Sequence, residues 1–177
     1  MLLILDVDGV LTDGKKYYDN TGKGVLKTFC DRDFTAIKQF KAAGWKVVFL
    51  SGDENINQAV AKNRSIKFYS SRNTVTGNMI DKAKFVKIFE EEYGITPTDM
   101  VYVGDDIFDV SIMKKVGDSF CPKNSPMEVQ KQAIILDAKS GEGVIVALWE
   151  WYQKHQPYFV RGVTIRKVIQ IDRHEKF

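Results

Sequence analysis

The sequence predicts an α/β protein: a doubly wound, mainly parallel sheet with a β-hairpin flap after the first strand and no separate cap domain. Three observations carry this. Short apolar runs alternate with amphipathic segments, the pattern of strands covered on both faces by helices. Carboxylates cluster just past the first and fourth of these runs, where an open parallel sheet places its ligand sites. The stretch from Gly14 to Trp45 holds only a hairpin and one helix, too little for an inserted domain.

Leu2 to Leu5 is the first strand, short, apolar and uncharged. Asp6 and Asp8 follow it two residues apart, so an extended backbone points both to one side. Carboxylates that close repel unless a cation or a shared proton relieves them. Gly9 then lets the chain leave the sheet. A calcium loop is excluded, because positions five and six counted from Asp6 are Val10 and Leu11 where an oxygen ligand and a glycine are needed. Residues 15–29 read as the hairpin: Lys15 to Tyr18, a turn from Asp19 to Gly24, then Val25 to Phe29. The spacing of a phosphate-binding G-x-x-x-x-G-K-[ST] loop is absent.

Ala36, Ile37, Phe40 and Ala43 keep helical spacing up to Gly44. Trp45 to Leu50 is a second core strand, ending in Ser51-Gly52-Asp53, and Glu54 to Asn63 is helical. Ile66 to Tyr69 gives a weaker strand and Ser70 to Asn78 a polar loop. A helix starts at Asp81, with Ala83, Val86, Phe89 and Tyr93 near one face, and closes at Gly94. Met100 to Val103 delivers Gly104-Asp105-Asp106-Ile107-Phe108-Asp109, and a helix runs on to Val116. A short strand near Ser119-Phe120, a segment from Ser125 to Gln132, a strand at Ile134 to Leu136 and a helix from Gly143 to Lys154 complete the rhythm. We therefore divide the chain into a domain over 1–155 and a C-terminal extended tail over 156–177, where Val163 to Ile171 alternates like a β segment.

At 177 residues with 44% hydrophobic and 28% charged residues, the chain has the composition of one ordinary globular domain. No apolar run is long enough for a membrane span, and the N-terminus enters its first strand without a basic region or cleavage site. Cys30 and Cys121 are too few for a disulfide framework, so a cytoplasmic location is expected. A net charge of +3 is too slight to argue for nucleic acid, and the basic residues of the tail are diluted by Asp172 and Glu175.

Asp6 and Asp8, Ser51, Lys82, and Asp105 with Asp109 all lie at or near β-to-α transitions. Together they offer what phosphoryl transfer demands: a nucleophile, an acid cluster to hold a metal, and donors to neutralise the phosphate. The Asp-x-Asp-Gly after strand one, Ser-Gly after strand two, the lysine and Gly-Asp-Asp-x-x-Asp resemble the haloacid dehalogenase-like phosphohydrolases. The run Asp6-Val7-Asp8-Gly9-Val10-Leu11-Thr12-Asp13-Gly14, with Val103-Gly104-Asp105-Asp106, is similar to the cap-less branch typified by the 3-deoxy-D-manno-octulosonate 8-phosphate phosphatases. The likeness covers about Leu2 to Trp149.

That resemblance implies a role for each residue. Asp6 attacks phosphorus and becomes an aspartyl phosphate, and Asp8 donates a proton to the leaving oxygen before taking one from water. Asp6, the Asp8 backbone carbonyl and Asp105 hold Mg²⁺. Ser51, with Gly52 beside it, binds a phosphoryl oxygen, and Lys82 offsets charge on the phosphate and Asp6. Asp109 orients Lys82 or metal-bound water, and Asp106 stands with it behind the metal ligands. The chain also departs from its relatives: Asp53 stands where they place arginine, Ser140-Gly141-Glu142-Gly143 replaces Gly-Gly-Arg-Gly, and Phe34 follows Arg32-Asp33 in place of glycine. We expect Arg32 and Arg72, with Asn73, to substitute for the missing cations.

The function so implied is Mg²⁺-dependent hydrolysis of a small phosphorylated sugar or sugar acid, a small-molecule phosphate substrate with neither nucleic acid nor membrane as partner. The alternatives are a phosphatase for a nonulosonate 9-phosphate or a nucleotide, and a catalytically silent relative used for assembly. The hairpin carries more apolar surface than two solvated strands satisfy alone, and the resembling enzymes pack such hairpins together. A homo-oligomer is expected, a tetramer, with residues 160–171 at the interface or over a site.

Overall fold

The computed structural model describes residues 1–175, and its core is a six-stranded sheet in the order β5-β4-β1-β6-β7-β8, every neighbouring pair parallel. The strands are β1 (Leu2–Leu5), β4 (Lys46–Ser51), β5 (Lys67–Ser70), β6 (Met100–Val103), β7 (Asp118–Pro122) and β8 (Ile134–Leu136), with β2 (Tyr17–Tyr18) and β3 (Gly24–Leu26) forming a separate antiparallel pair. The helices are α1 (Asp31–Ala42), α2 (Asn55–Asn63), α3 (Phe85–Tyr93), α4 (Val110–Met113), α5 (Met127–Gln130), α6 (Val144–His155) and α7 (Ile165–Asp172).

The period-two alternation of each strand sorts the core into two layers. Leu3 and Leu5 of β1 face a cluster with Phe34, Ile37 and Phe40 of α1 and Leu148, Trp149 and Tyr152 of α6. Leu2 and Ile4 face the other side, against Phe85, Val86 and Phe89 of α3 and Ile112 of α4. Every residue of β1 is buried. With β4 on one flank and β6 on the other, β1 is the point where chain order reverses, and the loops leaving all three converge beyond their carboxyl ends.

The hairpin stands away from this core: Tyr17, Tyr18, Val25 and Leu26 are 58%, 62%, 52% and 53% exposed. The C-terminal segment corrects the sequence reading. It is helical, not extended, with a 3₁₀ turn over Pro157–Val160 followed by α7. Thr164 caps α7 by accepting the Lys167 N–H at 3.3 Å, and the apolar residues 165, 168 and 169 share a face at helical spacing. The alternation at Val163 to Ile171 fitted both periods, and the cap and the contact with α1 decide for the helix. Glu175 is buried against Lys38, Lys41 and Arg64 at 3.4, 3.6 and 3.3 Å, and the Trp45 indole donates to the Phe159 carbonyl. The carboxylates of the tail thus pair with basic residues of α1 and the end of α2. Among the described residues no helix is long and apolar enough to cross a membrane.

Candidate active site

At the end of β1 the Asp6 N–H still bonds the Val103 carbonyl of β6 at 2.9 Å, so the first carboxylate is held as rigidly as the sheet. The chain then turns tightly: the N–H groups of Val10, Leu11 and Thr12 converge on the Val7 carbonyl, and the Thr12 hydroxyl accepts the Gly9 N–H. Gly9 has φ +79°, and a Cβ there would lie 1.9 Å from Asp105 Oδ2. Only glycine lets the β6 loop bring Asp105 against the β1 loop. Gly104 makes the same kind of allowance, since its Cβ would meet Asp109 Oδ2 at 2.5 Å.

These loops surround a cavity of about 390 Å³ lined by Asp6, Asp8, Ser51, Gly52, Lys82, Asp105 and Asp106, with Lys16, Asp53, Arg72, Met79 and Phe108 around it. Lys82 enters from a 3₁₀ turn that Asp81 caps, and its ammonium, almost fully buried, lies 2.6 Å from Asp6 Oδ2 and 2.6 Å from Asp109 Oδ1. Burial works against that charge, but Asp6 and then Asp109 outweigh it and hold the lysine above its ordinary range. The two oxygens of Asp109 are fully engaged. Oδ1 takes Lys82 and the Tyr102 hydroxyl, and Oδ2 takes the N–H groups of Asp105 and Asp106. Asp109 thereby aims Lys82 and ties down the loop that carries Asp105.

Burial pushes Asp6 up to about 7, against the pull of Lys82, and burial with Asp6, Asp109 and Asp106 pushes Asp105 up to about 8. Oxygens of Asp6, Asp105 and Asp109 lie within 4.8 Å of one another. Carboxylates crowded into low dielectric are relieved by a cation. The donor set is all oxygen, which suits a hard divalent ion such as Mg²⁺. With Asp109 already saturated, Asp6 and Asp105 are the carboxylates that fit it.

On the other side Ser51, 2% exposed, accepts from Asn57 Nδ2 at 3.0 Å and from the Asp53 N–H at 3.4 Å. Its hydroxyl hydrogen is left to aim at a ligand in the cavity. Asp8 meets a cluster that motif reasoning did not name. Lys27 Nζ lies 2.7 and 3.0 Å from its two oxygens and 2.8 Å from Asp53 Oδ2, while Lys16 lies 2.8 Å from the same Asp53 oxygen. Burial raises Asp53, but hydrogen bonds from Lys16 and Lys27 win and bring it down to about 2. Asp53 is therefore not an uncompensated charge in a basic subsite. The signal for Lys27 was in the chain: it is the one cation inside the run Val25-Leu26-Lys27-Thr28-Phe29.

The two arginines expected to face substrate differ. Arg72 lines the cavity, but its Nε donates to the Gly52 carbonyl at 2.9 Å and its Nη1 to the Gly77 carbonyl at 2.8 Å. It stitches the 70–80 loop, whose Arg72 and Met79 pair as an antiparallel bridge, onto the end of β4. Arg32 does not reach the cavity. It is exposed on the first turn of α1, the turn that sends Asp33 inward to accept the N–H groups of Ile145 and Val146.

A family model of haloacid dehalogenase-like hydrolases matches residues 53–148. The 3-deoxy-D-manno-octulosonate 8-phosphate phosphatase of Haemophilus influenzae is 32% identical over 144 residues, 80% of this chain and 76% of the relative. Its counterpart in Escherichia coli K12 is 30% identical over 151 residues, 81% and 74% of the two chains. Among solved structures, the cobalt-bound deoxy-D-mannose-octulosonate 8-phosphate phosphatase of Haemophilus influenzae superposes with a TM-score of 0.80 at 27% identity, covering 95% of each chain.

Proposed function

Because the chain belongs to the haloacid dehalogenase-like hydrolases and is a phosphatase, we propose that it hydrolyses a small phosphorylated sugar acid of the 3-deoxy-D-manno-octulosonate 8-phosphate kind, through an aspartyl phosphate on Asp6. One observation carries the mechanism. A buried carboxylate, Asp6, sits between the Lys82 ammonium and Asp105 at the floor of a cavity that Asp8 and Ser51 also line.

In this reading Asp6 attacks phosphorus, and Lys82 and the Ser51 hydroxyl neutralise the non-bridging oxygens as negative charge builds. Asp8 protonates the ester oxygen as it leaves and then deprotonates the water that attacks the phosphoryl-aspartate. Asp6 and Asp105 with the Asp8 carbonyl would hold Mg²⁺, which would supply Lewis-acid stabilisation of phosphoryl charge. Asp109, helped by Asp106 and Tyr102, keeps Lys82 and Asp105 in place. The Haemophilus influenzae relative was solved in a cobalt-bound form, which supports a metal in the corresponding fold.

The sugar-acid assignment is supported by the sequence likeness over four-fifths of the chain and by a cavity with cationic side chains, Lys16 and Arg72, at its rim. The protein so described works as a homotetramer in the cytoplasm, consistent with two free thiols and an exposed apolar hairpin. The deciding experiment is a turnover screen over sugar phosphates, sugar-acid phosphates and nucleotides, with Mg²⁺ and after chelation. Preference for an eight-carbon sugar-acid phosphate supports the proposal. Comparable turnover of nucleotides, or turnover untouched by chelation, rejects it.

A further inference from the structure

Lys27 belongs to the hairpin by sequence and to the active site by position. It follows β3 directly, yet its side chain is 1% exposed and its ammonium is turned inward onto the Asp8 carboxylate, which lines the cavity, rather than toward solvent. An ammonium has three hydrogens to give and no lone pair. Here the three are spent on Asp8, Asp53 and Asn57, at 3.0, 2.8 and 2.9 Å from the accepting oxygens. Nothing remains with which it could bind a substrate phosphate. A buried cation so saturated is a fixed point, and what it fixes is Asp8.

The Asp8 carboxylate is held from two sides. Lys27 lies within 2.7 and 3.0 Å of its two oxygens, and Asn57 Nδ2 donates to Oδ2 at 3.1 Å. Asn57 is itself fully buried and also donates to Ser51, so one amide keeps Asp8 and the phosphate-facing hydroxyl in register. Asp53 completes the arrangement by balancing Lys27 and Lys16.

We propose that Lys27 is a positioning residue for proton transfer: with Asn57 it holds the Asp8 carboxyl group in one orientation, toward the leaving oxygen. This rests on the phosphatase reading above. As the Asp6–phosphorus bond forms and the phosphorus–ester oxygen bond breaks, the Asp8 proton passes to the departing oxygen, which leaves as an alcohol. Asp8 remains as a carboxylate beside Lys27. When water attacks the phosphoryl-aspartate, Asp8 takes up one of its protons, phosphate departs, Asp6 is freed, and the starting state is restored. The hairpin thus shapes the chemistry through one side chain delivered to the acid.

A group that acts only through proton donation matters for a poor leaving group and little for a good one. Phenyl phosphate and p-nitrophenyl phosphate have the same reacting end, but phenolate needs a proton to leave far more than p-nitrophenolate does. In Lys27→Met, which keeps length and removes charge, the first-turnover release of phenol should slow roughly ten- to a hundredfold. The first-turnover release of p-nitrophenolate should change less than about threefold, followed by a slower steady state as the phosphoryl-aspartate waits for its water to be deprotonated. Should Lys27→Met not fold, Lys27→Gln retains an N–H donor without the charge and reads the same ratio. An equal fall on both esters, or no fall on either, overturns the proposal. Failure of wild-type protein to hydrolyse either ester would instead reject the phosphatase reading itself.

Discussion

The Lys82 ammonium lies 2.6 Å from Asp6 Oδ2, an ion pair in which both partners are almost out of solvent. A pair of that kind is costly to break from one side, because the remaining charge is left buried and alone. Lys82→Met should therefore lose activity by roughly a hundredfold to a thousandfold, the scale of removing a preorganised charge stabiliser. Asp6→Asn should abolish turnover without altering the circular dichroism spectrum, since it removes a charge and hardly any volume. Beryllofluoride with Mg²⁺ should add density on Asp6 of the wild-type protein. Retained activity in Asp6→Asn, after deamidation is excluded by mass spectrometry, would eliminate the covalent route.

The crowding of Asp6 and Asp105 predicts a second behaviour. With their carboxyls pushed up to about 7 and about 8, the two groups oppose full ionisation until a cation enters. Divalent ions should raise the melting temperature, because a ligand that binds only the folded state stabilises it by mass action. Asp105→Asn should weaken that response at least tenfold in the Mg²⁺ concentration required. A wild-type melting temperature indifferent to millimolar Mg²⁺ would argue against the metal site.

Asp33 makes a separate prediction about pH. Burial holds it up to about 6, although the N–H groups of Val146, Ile145, Gly143 and Val144 at the start of α6 pull it down. Its Oδ2 is buried without a hydrogen-bond partner. A carboxyl raised above its unfolded value binds its proton more tightly when folded, so its contribution is fully present below about pH 4 and is lost as pH rises through about 6. Asp33→Asn should remove that dependence. Relative to wild type the variant should gain stability between pH 5 and 8, by roughly 1–2 kcal/mol at most. Parallel stability curves for the two proteins over that range would show that Asp33 is not titrating there.

The sheet, its helices and the hairpin were legible because each rests on local periodicity and punctuation: apolar runs such as Leu2 to Leu5, stops at Gly44 and Gly94, turn residues from Asp19 to Gly24. The tail was not. Val163, Ile165, Ile169 and Ile171 fit a period of two while Ile165, Val168 and Ile169 fit helical spacing, and the Thr164 cap and the contact with α1 separate the two. The site divides in the same way. Asp6, Asp8, Ser51 and Asp105 stand just at or past strand ends, and Lys82 stands at the helix start after the polar loop. Lys27 and Asn57 do not, since they meet Asp8 across 19 and 49 residues of chain and no motif spans those gaps. Tyr102 looked like one more apolar residue of β6, yet its hydroxyl reaches Asp109 at 2.6 Å. Arg72 was read for its charge, whereas its geometry is that of a backbone staple.

That staple sets a test of the 70–80 loop. Arg72 spends Nε and one Nη on the Gly52 and Gly77 carbonyls, so its removal should loosen the loop as well as lower the charge at the rim. Arg72→Ala should raise KM for the best anionic sugar phosphate while sparing p-nitrophenyl phosphate. Arg72→Lys, which cannot reproduce the two-pronged contact, should behave like the alanine variant. Recovery by lysine would instead assign the residue to simple charge attraction.

The hairpin poses the last question, that of assembly. Tyr17, Tyr18, Val25 and Leu26 are each more than half exposed, whereas the neighbouring Lys27 is buried in the site. An isolated two-stranded pair is marginal in water, and this one keeps its apolar faces off its own sheet. The economical cover for four such residues is the same surface on another copy, since identical patches pair under closed symmetry. Light scattering behind a sizing column should therefore give a mass near four times the 20.2 kDa chain. Tyr18→Glu with Val25→Lys should shift it toward the monomer. Activity should fall with it, because Lys27 and Lys16 reach Asp8 and Asp53 from this hairpin and depend on its being held in place. A wild-type particle of 20.2 kDa at full activity would refute the shared assembly and leave the hairpin as a flap that works alone.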